Sequence, residues 1–241
     1  VIMHSEYNIE FYRNIHETAH SSAAEVVPLV VDLLRPRRVI DVGCGTGTWL
    51  ASFKNNGVEV VYGVDAEYVD RAQLSIEQSE FEYKNLSRPF SIADNYDLAV
   101  CLEVAEHLPA KMSRSLVKQL TIAAPVVLFS AAVPGQGGTA HINEQWHSYW
   151  HKRFADEKFE FFDIIRPRIA ANPKVAWWYR QNIFLYVRKG SSFTKDLEEQ
   201  QIHPPMEYLS AHIHSKQTVV SEIFKGLPNA VWRAIKNRVV C

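Results

Sequence analysis

The chain has 241 residues, of which 47% are hydrophobic and 22% charged, and its formal net charge is −1. That length suits one α/β domain with extensions, and near-neutrality excludes a global field that would draw the chain to nucleic acid. Cys44, Cys101 and Cys241 lack disulfide or metal-type spacing, so a reduced, cytoplasmic setting is expected, with Cys44 and Cys101 packed as small apolar groups.

Residues 1–6 show no basic segment leading into an apolar one, so no secretory signal is expected, and no apolar run reaches membrane-spanning length. Residues 1–36 read as helical. Ala23, Val26, Val27, Val30, Val31 and Leu34 recur at helical spacing, and Pro28 marks a first turn or a kink. Tyr7, Phe11 and Tyr12 form an aromatic cluster ahead of them. From 37 to 189 the pattern predicts strands over 38–42, 59–64, 81–84, 96–102, 125–133, 159–166 and 181–188. Helices are predicted over 48–56, 68–77, 110–121 and 144–155. This alternation implies a doubly wound, mostly parallel sheet with helices on both faces. Residues 190–241 read as an appendage, opened by Gly190, Ser191 and Ser192. Two short amphipathic helices are expected at 214–225 and 228–239, with Lys216, Lys225, Arg233, Lys236 and Arg238 against Glu222. A basic amphipathic end can contact a partner or a membrane surface; a packed helix with a solvated basic face is the plainer reading.

Residues 38–47 carry the most information. Val39, Ile40 and Val42 form an apolar run around Asp41, and Gly43, Gly45 and Gly47 follow. A strand, a glycine loop and a helix together make a cradle for a nucleotide cofactor. A dinucleotide fingerprint would need glycine where Thr48 stands. The pattern D-x-G-x-G-x-G instead resembles the first motif of the class I S-adenosylmethionine-dependent methyltransferases. Asp65, at the end of a second apolar run, and Asn85 with Leu86, after a third, fall where that family's later motifs lie. The resemblance covers roughly residues 20–189. It implies a seven-stranded Rossmann-like sheet with its last strand antiparallel, an N-terminal helical lid (1–36), a cofactor domain (37–189) and a C-terminal helical extension (190–241). It implies S-adenosylmethionine as cofactor and S-adenosylhomocysteine as product. Gly43, Cys44, Gly45 and Gly47 would hold the amino-acid end, with Asp41 near its ammonium. Asp65 would hold the ribose hydroxyls, Asn85 and Leu86 the adenine edge, and Glu103 the methyl side.

Ligands of open α/β sheets bind at the carboxyl ends of the strands. The fourth strand delivers Glu103, Glu106 and His107 there, and the fifth delivers a glycine-rich loop ending at His141. Histidine titrates in the range needed to take a proton from an acceptor hydroxyl. His141 is the first candidate for that base and His107 the second. His147 and His151, four residues apart, share one helix face and rank below them. Trp146, Trp178, Tyr179 and Arg180 are expected to position the acceptor, since aromatic faces suit rings and arginine suits a carboxylate or phosphate. A hydrophobic cap over the sheet edge explains the Trp177, Trp178 and Tyr179 cluster equally well. Glu103, Glu106 and His107 in E-x-x-E-H spacing, with His141, are similar to the metal site of the small-RNA 2′-O-methyltransferases. A divalent metal would suit such donors. The same string occurs in metal-free relatives, and the histidine-rich motif of the RNA enzymes is not evident, so the metal-free reading is preferred. The strings 103–107, 135–146 and 177–182 resemble a bacterial group of small stand-alone methyltransferases of natural-product or surface-glycan biosynthesis, and that resemblance implies O-methylation of a small molecule, a natural product or a sugar, as the favoured function. The alternatives are a metal-assisted O- or N-methyltransferase and a non-catalytic scaffold of the same fold. A nicotinamide dehydrogenase is disfavoured by Thr48 and Asp41.

Overall fold

The structure is a computed structural model that describes residues 9–92, 95–193 and Leu197, with side chains described from Glu17 onward. The chain divides into two units, Val1–Glu207 and Tyr208–Cys241, and every described residue belongs to the first. Tyr7, Cys241 and the two expected C-terminal helices lie outside the described residues, as do the side chains of Phe11 and Tyr12.

The chain opens with the long helix α1 (Ile9–Leu34). It continues through β1 (Arg38–Val42), α2 (Thr48–Asn55), β2 (Val60–Asp65), β3 (Phe81–Tyr83) and β4 (Leu98–Leu102). Then come α3 (Ser113–Ala123), β5 (Val126–Ser130), α4 (His147–Asp156) and β6 (Phe159–Phe162). The last elements are α5 (Arg166–Ile169), α6 (Trp177–Asn182) and β7 (Phe184–Arg188). Seven strands form one sheet in the order β3-β2-β1-β4-β5-β7-β6. Neighbours are parallel except at β7, which runs antiparallel to both β5 and β6. The doubly wound, mostly parallel sheet expected from the sequence is the fold observed.

Both faces of the sheet are covered, which is why its central strands are nearly continuous apolar runs. Successive side chains point to opposite faces. Val39, Leu98, Val100, Val126 and Leu128 join a core with Val26, Val27 and Val30 of α1 and Leu50 and Phe53 of α2. Ile40, Ala99, Cys101, Val127 and Phe129 join a second core with Leu116 and Leu120 of α3 and Trp150 and Phe154 of α4. Cys44 and Cys101 are buried free thiols, as expected. Pro28 lies inside α1 and not in its first turn. It is exposed, and the helix continues past it to Leu34.

Some expectations need correction, beginning with the strands expected over 125–133 and 159–166, which end at Ser130 and Phe162, so that Arg166 opens α5 instead. Residues 68–77 do not form a helix. Asp70 accepts the Ala72 N–H and caps a single 3-10 turn, Arg71–Gln73. The Ser75 N–H then goes to the Thr46 carbonyl at 2.8 Å. That bond ties the segment to the glycine loop, where a helix would have kept it. The residues around 181 also do not open the last strand. Arg180 N–H bonds the Ala176 carbonyl and Ile183 N–H the Tyr179 carbonyl, so the chain makes α6 before β7 begins at Phe184.

Candidate functional site

The glycine loop is fastened to the end of β2. Gly43 N–H and Cys44 N–H both reach the Val64 carbonyl, at 2.8 and 3.3 Å. Gly45 N–H reaches Asp65 Oδ2 at 2.7 Å, and Asp65 Oδ1 accepts the Ala66 N–H at 2.6 Å. Asp65 is therefore a buried carboxylate whose two oxygens are fixed at the mouth of the loop. Asp41 lies in β1 at 3% exposure. Burial, and then the charge of Asp65, push its pKa well above the usual carboxylate range. A cationic group bound beside it would reverse that shift.

Beyond Asp65 opens a cleft of about 470 Å³, lined by Ala66, Glu67, Tyr68, Tyr83, Lys84, Asn85 and Arg88. Asn85 is exposed there and accepts the Ser87 N–H through Oδ1. Leu86 is buried in the core that includes Val64 and Met112.

The carboxyl ends of β4 and β5 bring the other candidates together. Glu103 takes a positive φ of 55°. Its N–H is held by the carbonyl and hydroxyl of Ser130, both at 3.1 Å. Left-handed backbone at a non-glycine residue costs on the order of 1–3 kcal/mol and persists where the surroundings enforce it. Gln136 donates to Glu103 Oε2 at 2.9 Å and Asn182 to Oε1 at 3.3 Å. Asn182 also donates to Gln136 Oε1 at 2.9 Å and bonds His147 Nε2 through Oδ1 at 3.1 Å. Burial raises the Glu103 pKa, and hydrogen bonds from Ser130, Gln136 and Asn182 oppose the rise. Gln136 and Asn182 were not anticipated from the sequence, because they meet only when α6 folds back over the β5 loop.

Glu106 sits in a 3-10 turn, Ala105–His107, at 0% exposure, its carboxylate set against that of Glu103 and near the Ala132 backbone. Burial, and then the charge of Glu103, push its pKa well above the ordinary range. His107 and His141 lie edge to face with ring centroids 4.9 Å apart. His107 Nδ1 is 3.3 Å from the Ala140 carbonyl. Its pKa is lowered by burial of the ring and further by His141. His141 Nδ1 is 3.0 Å from Glu144 Oε1. Among the described residues, Glu106, His107 and His141 are the group that could hold a metal ion, their ligand atoms all within 4.8 Å of one another.

The expected acceptor residues lie just before α4 and in α6. Trp146 is 38% exposed just before α4. Trp178 is half-buried. Tyr179 is 7% exposed and packs edge-on against Trp49 at 5.2 Å. Arg180 directs one guanidinium nitrogen to the Ala170 carbonyl. His147 and His151 share a face of α4, as expected, with rings 6.5 Å apart.

A family model described as a methyltransferase domain matches residues 15–165. No curated protein matches the chain. Among solved structures the chain is similar to magnesium protoporphyrin IX methyltransferase from Synechocystis PCC 6803 with bound SAH. The identity is 18% and the TM-score 0.53, covering 76% of this chain and 90% of that one. It is similar also to the methyltransferase domain of a bacterial Hen1 protein, at 17% identity and TM-score 0.52, covering 70% of this chain and 98% of that one. Human N-acetylserotonin methyltransferase in complex with SAM matches at 12% identity and TM-score 0.51, over 74% of this chain and 55% of that one. At these identities the likeness concerns the fold.

Proposed function

The chain belongs to the methyltransferase-domain family, and on that premise we propose that it is an S-adenosylmethionine-dependent methyltransferase acting on a hydroxyl of a small molecule, natural product or sugar. The observation that carries the reading is the joint between the glycine loop and Asp65, with its 2.7 Å bond from Gly45 N–H. A Cβ at Gly45 would meet nothing within 4 Å, so the loop faces open space beside a fixed carboxylate.

Gly43, Cys44, Gly45 and Gly47 would hold the amino-acid end of the cofactor, with Asp41 beneath. Asp65 would accept from the ribose hydroxyls, and the Asn85 cleft would take the adenine. When bound, S-adenosylmethionine supplies an electrophilic methyl group. The chain's own task is to align the acceptor, exclude water and remove a proton. His141 takes that proton at Nε2, with His107 beside it. Trp146 and the Trp178, Tyr179 and Arg180 cluster wall the acceptor side.

The test is calorimetry with S-adenosylhomocysteine and with NAD on the wild type and Asp65→Ala. Micromolar binding of the first ligand alone is expected. Loss of a charge-assisted hydrogen bond, about 1.5–3 kcal/mol, should weaken it roughly 10- to 100-fold in the variant. Binding of NAD, or of neither ligand, would overturn the reading. Acceptors are then sought by screening phenolic and sugar hydroxyls for S-adenosylhomocysteine release.

A second reading adds a divalent cation, favoured by the buried carboxylate of Glu106 beside His107 and His141. One carboxylate and two imidazoles suit manganese or iron, and Glu106, His107 and His141 would hold such an ion, which would supply Lewis-acid chemistry to an acceptor oxygen. Manganese binding to the wild type that is lost in Glu106→Gln would support it. Equal binding to both proteins would remove Glu106 from the donor set.

A further inference from the structure

We propose that Glu144 is a positioning residue that fixes His141 in the one neutral tautomer whose Nε2 lone pair is open to the acceptor. The inference rests on the reading that His141 is the group meeting the acceptor. Glu144 lies outside the cofactor motifs and the E-x-x-E-H string.

Glu144 closes the loop after β5 on itself. Its Oε2 accepts the Gly135 N–H at 2.8 Å, and its Oε1 accepts the Gly137 N–H at 2.9 Å. The His141 Nδ1 then approaches the same Oε1 at 3.0 Å. Two backbone N–H groups, one on each oxygen, already make this carboxylate an acceptor. The imidazole nitrogen facing it must therefore carry the proton. A neutral imidazole has one N–H and one lone pair, so protonation at Nδ1 puts the lone pair on Nε2. A histidine's second nitrogen takes its role from the bond its first one makes.

The backbone on either side holds this geometry in place. Ile142 and Asn143 N–H both bond the Glu106 carbonyl, at 2.9 and 3.0 Å, and Gln145 N–H bonds the Ala132 carbonyl at 3.2 Å. The Asn143 side chain donates to the Ala105 carbonyl and to Ser113. Gly138 packs closely on the His141 ring, where only glycine fits. A Cβ built there would stand 2.4 Å from Nε2. The loop thus supplies a donor at Nδ1 with a carboxylate, and sets no side chain of residue 138 against Nε2. Both readings of the site need the Nε2 lone pair, one for a proton and the other for a metal. Glu144 would serve either.

The experiment is two-bond ¹H–¹⁵N correlation NMR on the full chain labelled with ¹⁵N-histidine, at a pH where His141 is neutral. His141 is assigned by the signals lost in His141→Asn. The wild type should show His141 as the Nδ1–H tautomer, and Glu144→Ala should shift it to a mixture or to Nε2–H. Glu144→Gln keeps an oxygen for Gly137 N–H and His141 Nδ1 but sets an amide donor against Gly135 N–H, so it should restore the wild-type tautomer while bracing the loop less well. That rescue would not follow if Glu144 only braced the loop. An Nε2–H tautomer in the wild type would overturn the proposal without recourse to any variant. So would an unchanged Nδ1–H signal in Glu144→Ala. The base reading is judged separately. If His141→Asn kept full methyl transfer, that reading would fail, while the tautomer result would still decide the role of Glu144.

Discussion

Gly43 and Gly45 stand two residues apart in one loop, both at positive φ (88° and 53°), yet they answer to different demands. At Gly43 an added Cβ would lie 2.4 Å from Val104 Cγ2 and 2.8 Å from Cγ1, so the loop is pressed against the residue following Glu103. At Gly45 there is no neighbour, only the space where a ligand belongs. Gly45→Ala should therefore lose about 1–2 kcal/mol for its left-handed backbone. It should keep its fold and bind S-adenosylhomocysteine at least tenfold more weakly. Gly43→Ala adds overpacking, about 1–3 kcal/mol more, and should be clearly less stable. Urea unfolding beside calorimetry separates the two effects. Equal stability losses would mean that Val104 yields freely and that the two glycines do the same work.

At the scale of elements, stacked and edge-on aromatic rings join α4 to β5 and β7. Phe154 stacks on Tyr186 with centroids 3.7 Å apart and planes 14° from parallel, and Phe129 meets both rings at their edges. Phe154→Ala should cost about 3–5 kcal/mol, seen as a lower urea midpoint with an unchanged slope. A loss under 1 kcal/mol would show that α4 can settle into the gap. Elements held by burial on both faces were legible in the sequence, because β1, β4 and β5 cannot be other than apolar runs. The glycine loop was legible because its spacing is a steric requirement. Residues 68–77 were not. Val69 and Ile76 carry apolar side chains at near-helical spacing, but the bond from Ser75 to Thr46 and the packing of Ile76 over Gly47 are tertiary and leave no local signature. The same holds for Asn182 and Gln136, which meet across 46 residues. Glu144 left one faint signal, an acid three residues past His141 in a glycine-rich stretch. It takes on meaning only once the loop has closed.

For the molecule as a whole, buried titratable groups pull its acid stability in opposite directions. Asp41 and Glu106 have raised pKa values in the fold, so their contribution is fully present below the unfolded pKa and is lost as pH rises. His151 does the reverse. Its ring lies against Phe161 at 4.3 Å, shares a 2.8 Å hydrogen bond with the Tyr186 hydroxyl, and buries Nε2 without a partner. Burial, then His147 and Arg166, lower its pKa to about 3. The unfolded chain takes up this proton near pH 6.5 and the folded one does not. Stability from this group is therefore complete above about pH 6.5 and falls as pH drops toward 3, by at most about 1.4 kcal/mol per unit. His151→Gln keeps an acceptor for Tyr186 and removes the titration, and the carboxylates are common to both proteins. The difference in unfolding free energy between wild type and variant should thus shrink or reverse between pH 7 and pH 4.5. A difference that stays constant across that range would mean that His151 accepts a proton in the folded state, and that the aromatic layer between α4, β6 and β7 admits water at its nitrogen.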